Sequence, residues 1–457
     1  MEGSLKVEVK VISTDMVKPS TPTPSRLKKY TLSYVDQIIP ISPPLQTPVI
    51  IFYTATSPAQ QPLDIAWLKT CLSETLTYFY PLAGRIKQST IDCNDEGLPV
   101  FEAQVNCPLD SVLKSPLLLK QEGLIHKLFP PSESLCIVDN KQEIRERIHI
   151  CIQINVFTCG GVAIAWYDIH KLTDGISSAT FFKHWAALAS RKSDGKNLIQ
   201  PDFGAGLAAF PPASIVQPLP YDQIKLKECS LVVKSFKFGD ASLSKLKVKA
   251  ASHQVPHPSR YVVLSAFIWQ QALASKTCEY QEEEETIYVV NLDLRPRMKP
   301  PLPAASIGNL ITQTVASAKA RATLPEFAAS IDAAIRARME KIKEYEGEKG
   351  VNAIRENSDE FRKLALKHQD MAYGSTSWCN LGFSDLDFGF GKPKWTIPTD
   401  GRIPPYARNL TILNDYSDPD GVGIEVWLFL EEKDMESLES NPQFLAFASP
   451  TSPIHKC

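Results

Sequence analysis

The 457-residue chain carries 49 basic and 51 acidic residues, a formal net charge of -2. Mixed charge so close to neutral gives no reason to expect nucleic acid or an anionic membrane as a partner. The 44% hydrophobic and 22% charged content is that of a soluble globular protein, and the length exceeds one ordinary core, so two domains or one bilobed unit is expected.

Met1-Glu2-Gly3-Ser4-Leu5-Lys6 contains no apolar h-region, so no secretory signal is expected and the location is read as cytoplasmic. The ten cysteines stand singly, with no Cys-x-x-Cys pair, which predicts reduced thiols and no metal site.

In chain order, residues 7–12 read as a first strand, followed by the proline-rich loop at 19–24. Residues 32–39 are short and mixed, with Asp36 inside them. A second proline cluster, 40–48, precedes a compact strand at 49–53. Ile65, Leu68, Leu72 and Leu76 recur near 3.6 spacing and predict a helix over 63–78. The sequence Tyr80-Pro81-Leu82-Ala83-Gly84-Arg85 stops it.

Residues 148–167 are long enough for a membrane span. However, Ile150, Ile152, Ile154 and Val156 alternate with Cys151, Gln153 and Asn155, and Gly160-Gly161 interrupts the run. That pattern predicts a hairpin of two half-buried strands. A helix over 175–190 follows, with Phe181, Phe182, Trp185 and Leu188 available for one face.

The stretch 194–222 is rich in Pro, Gly and Ala and is read as an interdomain crossover. It divides the chain into an N-terminal lobe, 1–193, and a C-terminal lobe, 223–457. The second half opens with a strand at 231–236, a helix at 242–251 and a buried helix at 264–273. The acidic 281–285 reads as a solvated loop and 288–294 as a strand. Thr323-Leu324-Pro325-Glu326 is a capping box that starts a helix running to about 345.

The chemistry centres on His170-Lys171-Leu172-Thr173-Asp174-Gly175, where the hairpin gives way to a turn and helix. Strand parity places His170 on the face of Val162, Ile164 and Trp166, so it emerges from a buried strand into an interior space. An imidazole there is suited to act as a general base near neutrality. Asp174 either orients the ring, as in a triad, or turns away to cap the helix and pin the loop through a basic residue. Further on, Asp387-Phe388-Gly389-Phe390-Gly391-Lys392-Pro393 reads as a tight structural turn with aromatic anchors.

Four segments together, YPLAGR (80–85), HKLTDG (170–175), LRPRM (294–298) and DFGFGKP (387–393), resemble the plant BAHD acyl-CoA-dependent acyltransferases. The likeness is strongest to the vinorine synthase group of alkaloid O-acetyltransferases, through IDCNDEGLP (91–99), FTCGG (157–161) and SWCNLGFSDLDFG (377–389). The resemblance implies an α/β fold of two similar lobes, like chloramphenicol acetyltransferase, with a channel between them. It implies His170 as general base and an ion pair between Asp174 and Arg295. The loop of Asp387, Gly389 and Gly391 would be structural.

Thr376 is then the candidate donor to the oxyanion, with Trp378 lining the channel and Ser259 and Arg260 as acyl-CoA contacts. The expected co-substrate is acyl-CoA, with acetyl-CoA favoured, and no permanently bound cofactor. A small-molecule alcohol is the expected acceptor, and the chain is expected to act as a monomer. Three departures stand out: Phe390 for the usual tryptophan, Val262 for an acidic residue, and Asp293 for asparagine, where a carboxylate could compete for Arg295.

Other acyl donors (malonyl-, benzoyl- or hydroxycinnamoyl-CoA), an amine acceptor, and a non-catalytic binding member of the fold remain as alternatives. A serine hydrolase lacks its Gly-x-Ser-x-Gly elbow here. A peptide-synthetase condensation domain would carry a second histidine where Ile169 stands.

Overall fold

In the computed structural model the described residues are 7–40, 45–55, 64–115, 118, 120, 123–138, 144–190, 198–219, 230–278, 280–418 and 421–451. The first lobe is built on a sheet of β1 (Val9–Val17), β2 (Gln46–Tyr53), β3 (Leu98–Val105), β4 (Ile150–Phe157) and β5 (Val162–Ile169). Its order is β1-β3-β4-β5-β2, antiparallel except for the β3/β4 pair. Among the helices of this half are the short α1 (Tyr34–Gln37), α2 (Ile65–Tyr78) and α3 (Gly175–Ala189). Asp64 caps α2 by accepting from the Trp67 N–H at 2.9 Å. The expected hairpin is present as β4 and β5.

Its strands are not half-buried, however. Both are central in the sheet, and β5 is buried at every position. On one face Trp166 stacks on Phe182 of α3 with ring centroids 3.8 Å apart. The polar positions of the alternation, Gln153 and Asn155, also turn inward. Gln153 donates to the Lys127 carbonyl (3.1 Å) and to Asn155 (2.8 Å), while Asn155 donates to the Leu128 carbonyl (2.8 Å). Hydrogen bonds to irregular backbone take the place of solvent, which is why period two overstated the exposure.

After a short helix α4 (Ala205–Ala209), the second lobe carries β6 (Leu231–Gly239), α5 (Asp240–Ala250), α6 (Arg260–Ala274), β7 (Glu285–Asp293) and β8 (Ile311–Lys319). Then come α7 (Leu324–Ile342), α8 (Gly347–Lys367) and β9 (Ala372–Ser377). The helix α7 starts at the expected box, with the Thr323 N–H donating to Glu326 at 2.7 Å. The 21-residue α8 was not marked in the sequence: its buried Val351, Ile354, Phe361 and Ala365 are spread through a strongly polar segment.

Of the 194–222 crossover, 198–219 is described. It is not a free linker: Asp202 bridges to Ser306, and the Phe210 carbonyl accepts from the Tyr34 N–H at 3.0 Å.

The lobes are laced by β10 (Trp395–Ile397), which pairs with β2 and extends the first sheet although it lies late in the chain. The chain then returns through β11 (Leu410–Asp418) and β12 (Gly421–Glu431), and the last strand among the described residues is β13 (Ser449–Pro450). The second sheet reads β8-β7-β9-β11-β12-β6-β13.

From β10, Trp395 Nε1 donates to both carboxylate oxygens of Glu425 on β12, at 3.2 and 3.1 Å. Burial pushes the Glu425 carboxyl up to about 7, against the opposing pull of Trp395 and Lys237. The folded state therefore holds this proton more tightly than the unfolded chain, whose glutamates titrate near 4.5. The stability that this provides is complete below about 4.5 and is lost as pH rises to about 7. Glu425→Gln should accordingly gain in melting temperature relative to wild type between pH 4.5 and 7.5. A constant difference across that range in thermal denaturation would contradict the assignment.

Candidate active site

Between the lobes lies a cavity of about 1040 Å³, walled by His170, Ile38, Thr376, Trp378, Asn291 and Phe429 among others. That volume suits a substantial organic ligand rather than a single water or ion.

His170 follows the last residue of β5, and its backbone N–H donates to the Leu45 carbonyl at 2.8 Å. Its Nδ1 lies 2.5 Å from Asn309 Oδ1. The amide orientation of Asn309 is fixed independently. Its Nδ2 faces two acceptors, Asp36 Oδ1 at 3.0 Å and the His170 carbonyl at 3.1 Å. An amide oxygen only accepts, so Nδ1 of His170 must carry the hydrogen in this contact. The neutral ring then has its lone pair on Nε2.

Asp36 lies behind this contact on α1 and is buried. It accepts from the Asn309 N–H at 2.7 Å and from Ser33 Oγ at 2.5 Å. Burial pushes its carboxyl up to about 6, and those hydrogen bonds hold it from rising further. Next to His170, the buried Lys171 donates to the carbonyls of Gln37 (3.0 Å) and Ile39 (2.6 Å). Burial pulls its ammonium down to about 8, opposed by Asp36. Lys171 thereby ties the histidine to the segment whose Val35, Ile38 and Ile39 form a cavity wall.

Asp174 caps α3 and takes no part in orienting the imidazole. Its Oδ1 accepts from the Ser177 N–H (2.8 Å) and Arg295 Nη2 (3.0 Å). Its Oδ2 accepts from Arg295 Nη1 (2.8 Å) and the Leu310 N–H (3.1 Å). Both partners of the Arg295–Asp174 fork are only 2% exposed. Asp293 joins the cluster, accepting from Arg295 Nη1 at 3.0 Å, and does not displace Asp174.

Ser177 Oγ and the Gly308 backbone bond each other at 3.1 Å and complete the junction. Gly308 has φ +146°, and a Cβ there would sit 3.6 Å from the Asp36 carboxylate. A side chain would therefore strain the turn that presents Asn309.

Thr376 is half-buried on β9 and lines the cavity with Trp378, whose backbone N–H donates to the Leu413 carbonyl at 2.7 Å. Ser259 lines the cavity as the cap of α6, its Oγ accepting from the Val262 N–H at 3.2 Å. Arg260 is exposed, 4.0 Å from Asp240, and is not part of the cavity wall. Val262 is buried in the second core, so the departure at that position leaves an apolar side chain turned away from solvent.

The 387–393 loop is distant in role. Asp387 Oδ1 accepts from the Gly389 and Gly391 N–H groups at 2.8 and 2.9 Å, with both glycines at positive φ. Phe388 and Phe390 pack edge-on against Tyr53 of the first sheet.

Asn309, Asp36 and Lys171 were not singled out in the sequence as site residues. The usable signals were a Ser33-x-x-Asp36 cap before α1 and the turn-forming Gly308-Asn309 pair.

The Transferase family model matches residues 7–445. The chain belongs to this family, the BAHD acyltransferases. It is 31% identical to stemmadenine O-acetyltransferase of Catharanthus roseus, covering 95% of this chain and 97% of that one. It is 32% identical to vinorine synthase of Rauvolfia serpentina (94% and 96%) and to limonoid 21-O-acetyltransferase of Melia azedarach (98% and 100%). The crystal structure of vinorine synthase superposes with a TM-score of 0.75 at 28% identity, over 97% of this chain and 100% of that one. F. graminearum TRI101, complexed with coenzyme A and T-2 mycotoxin, shares the fold at a TM-score of 0.69 and 17% identity, covering 92% and 99%. The chain is thus an acyltransferase with a CoA thioester as co-substrate. No helix among the described residues is long and apolar enough to cross a membrane.

Removing one partner of a buried ion pair strands the other charge, at a cost of about 3–5 kcal/mol. Asp174→Ala should therefore lower the melting temperature by several degrees and slow acyl transfer together. Lost activity at an unchanged melting temperature would reinstate the triad reading.

Proposed function

We propose that the chain transfers an acetyl group from acetyl-CoA to a hydroxyl of a plant specialised metabolite, an alkaloid or terpenoid alcohol, with His170 as general base. The observation that carries this reading is the tautomer: Asn309 takes Nδ1–H, which leaves the Nε2 lone pair on a ring that lines the cavity. The named O-acetyltransferases among the relatives support the donor and the acceptor class.

His170 accepts the hydroxyl proton at Nε2 as the oxygen attacks the thioester carbonyl. Thr376, on the cavity wall, donates to the developing oxyanion. The intermediate collapses with loss of CoA thiolate, and His170 returns its proton to sulfur. Trp378 walls the cavity and helps to exclude the water that would hydrolyse the thioester. Ser259 on the cavity wall, and the exposed Arg260 beside it outside that wall, are the acyl-CoA contacts in this reading. The chain acts as a monomer in the cytoplasm in this reading.

His170→Ala should lower transfer by at least a hundredfold, the low end for loss of a general base, with the melting temperature held within about two degrees. The assay incubates purified protein with acetyl-, malonyl- and benzoyl-CoA and a plant alkaloid and terpenoid extract, and reads product by mass shift. Turnover by His170→Ala close to wild type would overturn the base assignment. A product mass gain matching malonyl or benzoyl would overturn the acetyl donor.

A further inference from the structure

The motif carboxylate is consumed by Arg295, and the carbonyl of Asn309 that faces the ring is neutral. An imidazolium forming on His170 therefore needs another source of negative charge. One carboxylate on the same wall has no role so far. Asp168 is the next-to-last residue of β5 and His170 follows its end, where the His170 N–H still bonds the Leu45 carbonyl, so the two side chains share a face, their Cα atoms about 7 Å apart. Both residues line the cavity.

Asp168 is 2% exposed. Its Oδ2 accepts from the hydroxyls of Ser178, on α3, and Thr173. Its Oδ1 is buried without a hydrogen-bond partner. Thr47, opposite on β2, contributes only weakly. Burial pushes the carboxyl up, while the Ser178 hydroxyl and the charge of His170 hold it back.

The surrounding charges are committed elsewhere. Lys171 sends its ammonium to the Gln37 and Ile39 carbonyls. Arg402 is paired with Asp400, and Arg295 with Asp174 and Asp293. Asp36 reaches His170 only through Asn309. Lys183 lines the cavity about two turns along α3. No lysine or arginine ion-pairs with Asp168 among the described residues. Yet a buried, uncompensated carboxylate is costly.

We propose that Asp168, rather than the motif aspartate, is the counter-charge for the imidazolium that His170 becomes when it takes the acceptor's proton. Asp168 acts through the histidine and touches neither substrate, so it is a positioning residue. The inference rests on His170 being the base. The balance of the step is unchanged: the proton moves from hydroxyl to Nε2 and on to the thiolate, and no bond to Asp168 forms or breaks.

The test is a titration of the intact protein that needs no acceptor. With ring-labelled histidine, the His170 signal is identified by its loss in His170→Gln. In Asp168→Asn, which keeps the shape and removes the charge, the midpoint of that signal should fall by about one pH unit, the size expected of one charge at this separation in a partly screened site. Asp168→Glu should stay within a few tenths of wild type.

Coupling between two titrating groups is mutual. The Asp168 carboxyl signal, read by carbon-labelled aspartate, should therefore titrate at higher pH in His170→Gln than in wild type. This arm remains decisive if Asp168→Asn does not fold. An unmoved His170 midpoint in folded Asp168→Asn, or an unmoved Asp168 signal in His170→Gln, overturns the proposal. Neither outcome bears on whether His170 is the base, which the loss of turnover in His170→Ala decides separately.

Discussion

The forked ion pair between Asp174 and Arg295 is the constraint on which the site depends. It joins the start of α3, in the first lobe, to the segment after β7, in the second. Each carboxylate oxygen accepts from one guanidinium nitrogen and one backbone N–H, so no acceptor capacity is left for a third role. Such a pair contributes less to net stability than to geometry, because two charges have been taken out of water. Its value lies in specifying one docking of the lobes and, with it, the position of the loop that carries Asn309.

From that docking the rest follows in order. The Gly308 turn brings Asn309 against the histidine ring, and Asn309 in turn rests on Asp36 of α1. Three segments far apart in the chain, around residues 36, 170 and 309, therefore meet through three side-chain hydrogen bonds and one backbone N–H. Lys171 closes the arrangement from the other side by holding the wall formed by residues 34–39. The imidazole thus sits in a framework that determines which nitrogen carries its hydrogen before any ligand arrives.

Much of this was legible in the sequence, for local reasons. Helix caps, turn residues and apolar periodicity located α2, α3, α7 and the β4–β5 hairpin, and the His170 motif stood out because its residues are contiguous. What was hidden depends on tertiary assembly. Gln153 and Asn155 read as solvent-facing because no local signal says that two more strands will flank the hairpin. Asp36 and Asn309 have no meaning near a histidine until the chain folds back, Asn309 lying 139 positions beyond His170. The helix α8 was hidden by its polarity, since few apolar positions suffice when only one narrow stripe is covered.

The short strand β10 has a consequence for how ligands reach the cavity. It leaves the second half of the chain, completes the edge of the first sheet, and is followed at once by return to the second sheet. With Trp395 bonded to Glu425 across the gap, the two lobes are stitched at a point well away from the Asp174–Arg295 junction in the chain. Two separate fastenings restrain the lobes more than one would, so ligands reach the cavity between lobes pinned at two places. The first lobe expressed alone would present a raw strand edge where β10 belongs.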